Sequence, residues 1–149
     1  FLVKILSRQL TLDLYNCSEK KINDIDEIKK LLQEMIGEEP QLISEKIEGE
    51  RSAVIGAFME GHIALHVYGD LRYVAADIFT CTEDIEPEEL AGVLRKFFQP
   101  DKMKSTFLKR GDLSTPDIKP KIKTRVTPLR RVRDAGAKVV RTLVRRGKD

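Results

Sequence analysis

Between residues 51 and 81 the chain runs through three apolar stretches with almost nothing between them. Ala53 to Met59 is an apolar run. Ile63, Leu65 and Val67 then alternate with His62, Ala64, His66 and Tyr68. In Tyr73 to Cys81, Val74, Ala76, Ile78 and Thr80 alternate with Asp77, Phe79 and Cys81. A period of two is the signature of a half-buried strand. The breaks are Glu60-Gly61 and Gly69-Asp70, far shorter than the dozen or so residues that a parallel crossover needs. Consecutive strands joined this way pair antiparallel, so the sheet is expected to be mainly antiparallel.

The flanking sequence completes the pattern. Leu10, Leu12 and Leu14 alternate with polar residues in a first strand, and Asn16 to Lys21 reads as a turn. Ile25, Ile28, Leu31, Leu32, Met35 and Ile36 recur at helical spacing, with Asn23 or Asp24 as cap and Gly37 as stop. Leu42 to Glu48 is a weaker strand, followed by a polar turn over Gly49 to Arg51. Pro87 opens a second helix whose stripe is Leu90, Val93, Leu94, Phe97 and Phe98, and Pro100 ends it. Lys102 to Lys109 is a last, basic strand. The order β-α-β-β-β-β-α-β predicts an α+β two-layer sandwich, a mainly antiparallel sheet with two helices on one face.

Composition bounds the class. Of 149 residues, 41% are apolar and 34% charged, aromatics reach only 6% and Trp is absent. That supports one ordinary core and excludes collagen-like and mucin-like chains. Two cysteines make no disulfide framework, and with two histidines they offer no metal-ligand spacing, so no metal site is expected. The apolar runs are too short to span a bilayer. Phe1 to Leu6 is too short for a signal-peptide core, and a cytoplasmic protein is expected.

Charge divides the chain. Residues 1–111 carry 15 Lys or Arg against 20 Asp or Glu, a balance of −5, and residues 112–149 carry 12 against 4, a balance of +8. The predicted organisation is a folded domain over 1–111, a Pro- and Lys-rich linker over 112–128, and a basic amphipathic helix over 129–149. The stripe of that helix is Leu129, Val132, Gly136, Val139, Val140, Leu143 and Val144. Such a segment suits phosphate or anionic lipid. It has no aromatic residue for base stacking or interfacial anchoring, so docking on the chain's own body or a sister subunit is the preferred reading, and a nucleic-acid partner is disfavoured.

Several motifs occur in a fixed order. Met59-Glu60-Gly61-His62-Ile63-Ala64-Leu65-His66 is followed by Asp77-Ile78-Phe79-Thr80-Cys81. Leu14-Tyr15-Asn16-Cys17 precedes them and Lys109-Arg110-Gly111 closes the set. Together they resemble the short prokaryotic pyruvoyl-dependent S-adenosylmethionine decarboxylases, whose pattern is Glu-Ser-His-hydrophobic-small-hydrophobic-His, then Asp-hydrophobic-Phe-Thr-Cys. The resemblance covers about residues 9–111.

The resemblance implies a homodimer and a self-processing site. In that family the Ser after the Glu attacks the preceding carbonyl, the chain is cleaved, and the new terminus becomes a pyruvoyl electron sink for decarboxylation. Here that position is Gly61, which has no hydroxyl, so no pyruvoyl cofactor is expected in this chain. Ala53 falls where the family has an assisting Ser, Ile47 where it has an aromatic residue that stacks on adenine, and Tyr68 where it has a Trp. Glu60 matches the ribose-binding position, His66 the processing His, and Cys81 the Cys that protonates the decarboxylated intermediate.

Each retained residue also has a plain reading: two histidines lining one strand face, a small buried cysteine, an ordinary turn glutamate. Their joint spacing marks them as inherited site positions, and inherited geometry can outlast chemistry. Three functions compete. The first is a non-catalytic homologue that binds an S-adenosylmethionine-like or polyamine ligand, or regulates an active paralogue in polyamine synthesis. The second is an active decarboxylase for spermidine synthesis, if Gly61 is not the native residue. The third is a nucleic-acid-binding module using the tail.

Overall fold

The first strand, β1 (Ser7–Tyr15), is the hub of the molecule. Its Leu10, Leu12 and Leu14 are buried, and their alternation with polar neighbours gives the strand one core face. In this computed structural model, which describes residues 7–37, 42–111 and 121–128, β1 is followed by a short helix α1 (Glu19–Ile22) and then by α2 (Ile25–Ile36). Strands β2 (Leu42–Glu48), β3 (Arg51–Phe58), β4 (Gly61–Tyr68) and β5 (Tyr73–Thr80) follow, then α3 (Pro87–Phe98), β6 (Lys102–Arg110) and β7 (Lys121–Pro128).

All seven strands join one sheet in the order β2-β3-β4-β5-β1-β6-β7. Every neighbouring pair is antiparallel. The two helical excursions explain the order: α1 and α2 carry the chain from β1 to the far edge, and α3 carries it from β5 past β1 to β6. The α+β sandwich expected from the sequence is therefore present, with its principal helix contacts made by α2 on β3 and by α3 on β1 and β5.

Each long helix is set by its ends and its stripe. Asp24 caps α2, its carboxylate accepting from the Glu27 N–H at 3.1 Å, and Gly37 closes it at φ 87°. Ile28 and Leu32 are fully buried. The helix lies so close to the sheet that a Cβ on Gly56 would stand 2.3 Å from Ile36 Cδ1; glycine on β3 is what permits the approach. In α3, Pro87 occupies the first turn and Ala91, Leu94 and Phe98 enter the core, while Val93 turns partly to solvent. Gln99, at φ 50°, ends the helix by donating its N–H to Arg95 O.

Three expectations need correction. The turn over Asn16 to Lys21 contains the start of α1, capped by the Ser18 hydroxyl. The β3–β4 turn is Met59-Glu60, and Gly61 is already in the strand. The stretch read as linker over 112–128 contains β7, which pairs with β6 from Lys109↔Lys121 to Lys102↔Pro128. The basic helix expected over 129–149 lies outside the described residues. Among the described residues no helix is long and apolar enough to cross a membrane.

Candidate functional site

Three of the motif stretches converge at one end of the sheet. Gly61, at the start of β4, lies opposite Phe58 on one side and Thr80 on the other. The Cys81 N–H donates to Glu60 O at 2.7 Å, tying the end of β5 to the β3–β4 turn. The Cys81 thiol lies 3.9 Å from Met59 O, and both Cys81 and the Glu60 side chain are exposed. His62 stacks on Phe79 with centroids 5.1 Å apart, and the Arg110 guanidinium sits 5.5 Å from the same ring. Arg110 also donates to Gln9 Oε1 at 3.2 Å, so the closing Arg-Gly motif is bound to β1 and β5.

The space at Gly61 limits what side chain this position can hold. Gly61 sits at φ 159°, a conformation that residues with a side chain rarely adopt, and a Cβ added to it would stand 1.9 Å from the Phe79 carbonyl oxygen and 2.9 Å from its carbon. Those atoms are backbone and cannot swing away as a flexible side chain can. The residues present therefore do not fit a pyruvoyl group or its serine precursor at this position. Neither the hydroxyl nor room for the carbon that would carry it is present.

His66 is placed elsewhere. It lies opposite Ala53 in register, so the two positions that the resemblance links to processing are cross-strand neighbours. From Gly61 to His66 is five residues along β4, about 17 Å at strand rise. Within one chain His66 therefore cannot reach Gly61 or Cys81. His62 and His66 are both exposed on the sheet face that α2 and α3 leave open. Ile47 pairs with Ser52 and so lies on the opposite, helix-side face, where the neighbouring Glu45 meets Lys29 of α2 at 2.8 Å. The structure does not bring Ile47 to His66. Tyr68 lies at the far end of β4, next to Tyr73 at 5.6 Å and beneath the Arg51 guanidinium at 5.1 Å.

That far end is held by polar contacts. Tyr73 donates its hydroxyl to Asp13, and burial first, then this hydrogen bond, raises its pKa. Burial likewise pushes the Cys17 thiol up to about 12, against a lowering contribution from Arg72. Cys17 is thus a packed hydrophobe with its thiol 3.5 Å from Leu14 O. The residue before it, Asn16, sits at φ 52°, where the family's Tyr-Gly-Cys pattern has glycine; Asn is among the residues that tolerate this region.

Two features were not read from the sequence. Arg8 donates to Glu86 at 2.7 Å and to the carbonyls of Thr82 and Ile85 at 2.8 Å each, fastening the loop that follows Cys81. A lone Arg in a strand carries no signal of such a partner. Thr80, whose place on the core face was legible, proves fully buried with its hydroxyl unpartnered beside Gly61. Among the described residues no group of three or more His, Cys, Asp or Glu side chains is placed to hold a metal.

Comparison with known proteins finds relatives of this fold. A similar structure is the adenosylmethionine decarboxylase from Aquifex aeolicus, with a TM-score of 0.68 at 16% identity, covering 78% of this chain and all of that one. At that identity the likeness concerns the fold. The S-adenosylmethionine decarboxylase proenzyme of Methanococcus maripaludis strain C5 is 26% identical over 121 residues, spanning 78% of this chain and 99% of the relative. The proenzyme of Moorella thermoacetica is 26% identical over 118 residues, 76% and 94% of the two chains. The family model for S-adenosylmethionine decarboxylase matches residues 8–111, the span from the start of β1 to the end of β6 that carries the motifs and the core. By that match the chain belongs to the S-adenosylmethionine decarboxylase family.

Proposed function

We propose that this chain is an S-adenosylmethionine decarboxylase homologue that neither cleaves itself nor forms a pyruvoyl group. In this reading it serves polyamine biosynthesis as a ligand-binding or regulatory paralogue. The observation that carries the reading is Gly61, which supplies no oxygen for the acyl shift and whose Cβ position is filled by the Phe79 carbonyl. Ala53, beside His66, likewise lacks the hydroxyl that would assist.

What is retained supports binding. Glu60 and Cys81 stay together at the head of β4, and His66 occupies the open face of the sheet. A ligand there would be S-adenosylmethionine-like or a polyamine. The functional assembly in this reading is a homodimer, or a pair with an active paralogue that keeps the serine. The 17 Å or so between Gly61 and His66 supports such an assembly, because two copies packed face to face can bring one chain's His66 near its partner's turn.

Intact mass after denaturation tests the reading. The expected result is one uncleaved chain of 17.0 kDa that releases no carbon dioxide from carboxyl-labelled S-adenosylmethionine. Two fragments divided before residue 61, with a blocked new terminus, would overturn it.

A further inference from the structure

The helix side of the sheet is only partly covered. With α2 on β3 and α3 on β1 and β5, strands β6 and β7 lie outside the main helix cover. Between α3 and these strands runs an open groove of about 1090 Å³, with Met103 and Phe107 on β6, Ala91 and Gly92 on α3, and Lys123 and Arg125 on β7 among its walls. Glu86 and Glu88, at the start of α3, close one end. We propose that residues 129–146 of the same chain occupy this groove as a helix antiparallel to α3.

Length and direction argue for this occupant. The segment begins where β7 ends, at Pro128, which pairs with Lys102 at the end of the sheet where α3 finishes. A chain leaving β7 and folding back must therefore run toward the start of α3. Eighteen helical residues span about 27 Å, and the eight residues of β7 span about 26 Å, so one helix matches the strand beneath it. At 100° per residue, Leu129, Val132, Gly136, Val139, Val140 and Leu143 fall on one stripe, the apolar face that a groove floored by Met103 and Phe107 would bury.

Charge distinguishes the direction of the helix. Near its finish, Arg146, at the flank of the stripe, would arrive beside Glu86, Glu88 and Glu89, at the end of α3 where negative charge is concentrated. Arg8, Arg95, Lys109, Lys123 and Arg125 also line the groove, so most of its charged side chains carry the tail's own sign. Of the tail's cations, Arg130, Arg131, Lys138, Arg141 and Arg145 fall on the side away from the stripe, toward solvent, where repulsion is screened, while Arg133 lies at the stripe's edge. Isolated, a basic helix of this length is marginal in water, so order in it reports the docking surface. The inference is independent of whether the chain processes itself.

Hydrogen–deuterium exchange on the full chain tests it. Amides of residues 132–144 should exchange roughly tenfold or more slowly than an unstructured segment, equally at low and high salt and in dilute and concentrated protein. Leu143→Asp should return them to the unstructured rate while β1 and β5 stay protected. Phe107→Asp, from the groove side, should do the same to the tail. Unstructured rates in the native chain would overturn the proposal. So would protection that vanishes on dilution, which would name a second copy as occupant, or protection that requires added RNA or anionic vesicles.

Discussion

Gly61 shows how a single residue can set both chemistry and packing. The sequence predicts the missing hydroxyl from the resemblance alone, but nothing in it reveals the closeness of the Phe79 carbonyl, because that depends on how β4 and β5 pair. Gly61→Ser should leave the chain uncleaved on a gel time course. Gly61→Ser and Gly61→Ala should both lower stability by about 1–3 kcal/mol, the usual range for forcing atoms into a filled site. Rapid cleavage of the Ser variant that depends on His66 would show that only one group had been lost. Cys17 and Cys81 give a second residue-level test. With Cys17 buried at a pKa of about 12 and Cys81 exposed, a thiol reagent near pH 8 should label one site per folded chain and two after unfolding. The raised Cys17 pKa also fixes a sign. The folded chain keeps a proton that the unfolded chain loses from its ordinary value of 9.0, so the contribution is full below that value and is lost as pH rises toward 12. Two rapidly labelled thiols in the folded chain would refute the burial.

Elements were legible where a period and a terminator agreed. Helix α2 has an apolar stripe, Asp24 before it and Gly37 after it, and its bounds match the expectation. The strands from β3 to β5 followed from a period of two and tight turns. Strand β7 was missed although Lys121, Lys123 and Arg125 alternate with Ile122, Thr124 and Val126, since three prolines and a basic composition read as linker. Lysine is in fact a common guard of edge strands, and β7 is the edge. Helix α1 was missed for a different reason: four residues are too few to show a helical period. Contacts between elements are the least legible. Arg8→Ala should cost about 1.5–3 kcal/mol, as the loss of a charged donor to several acceptors does, and should speed amide exchange in residues 82–86 more than in β1. An unchanged melting temperature would show that the Arg8 contacts are solvent-balanced.

At the scale of the whole molecule, one face of the sheet carries the helices and the other carries His62, His66, Tyr73 and Phe79. An antiparallel sheet can leave such a face in water, so exposure alone does not demand a partner. The separation of the retained site positions supplies the stronger argument. Gly61 and Cys81 stand at one end of β4 and β5, His66 and Ala53 about five residues up the strand, and all four belong to positions that the family resemblance joins in one function. A single copy cannot join them, whereas two copies facing each other with their β4 strands antiparallel can. The expected state is a homodimer through the open face, which would also leave the groove beside α3 free for the chain's own tail. Ile55 lies on that open face, 40% exposed, whereas Ile47 is 55% exposed on the helix side. Light scattering should therefore find Ile55→Asp monomeric with an unaltered circular dichroism spectrum, and Ile47→Asp still dimeric. A native chain that is monomeric at every concentration would sink the face-to-face arrangement. A dimer broken by Ile47→Asp and untouched by Ile55→Asp would place the interface on the β2 edge or the helix side instead, and would separate His66 from Gly61 for good.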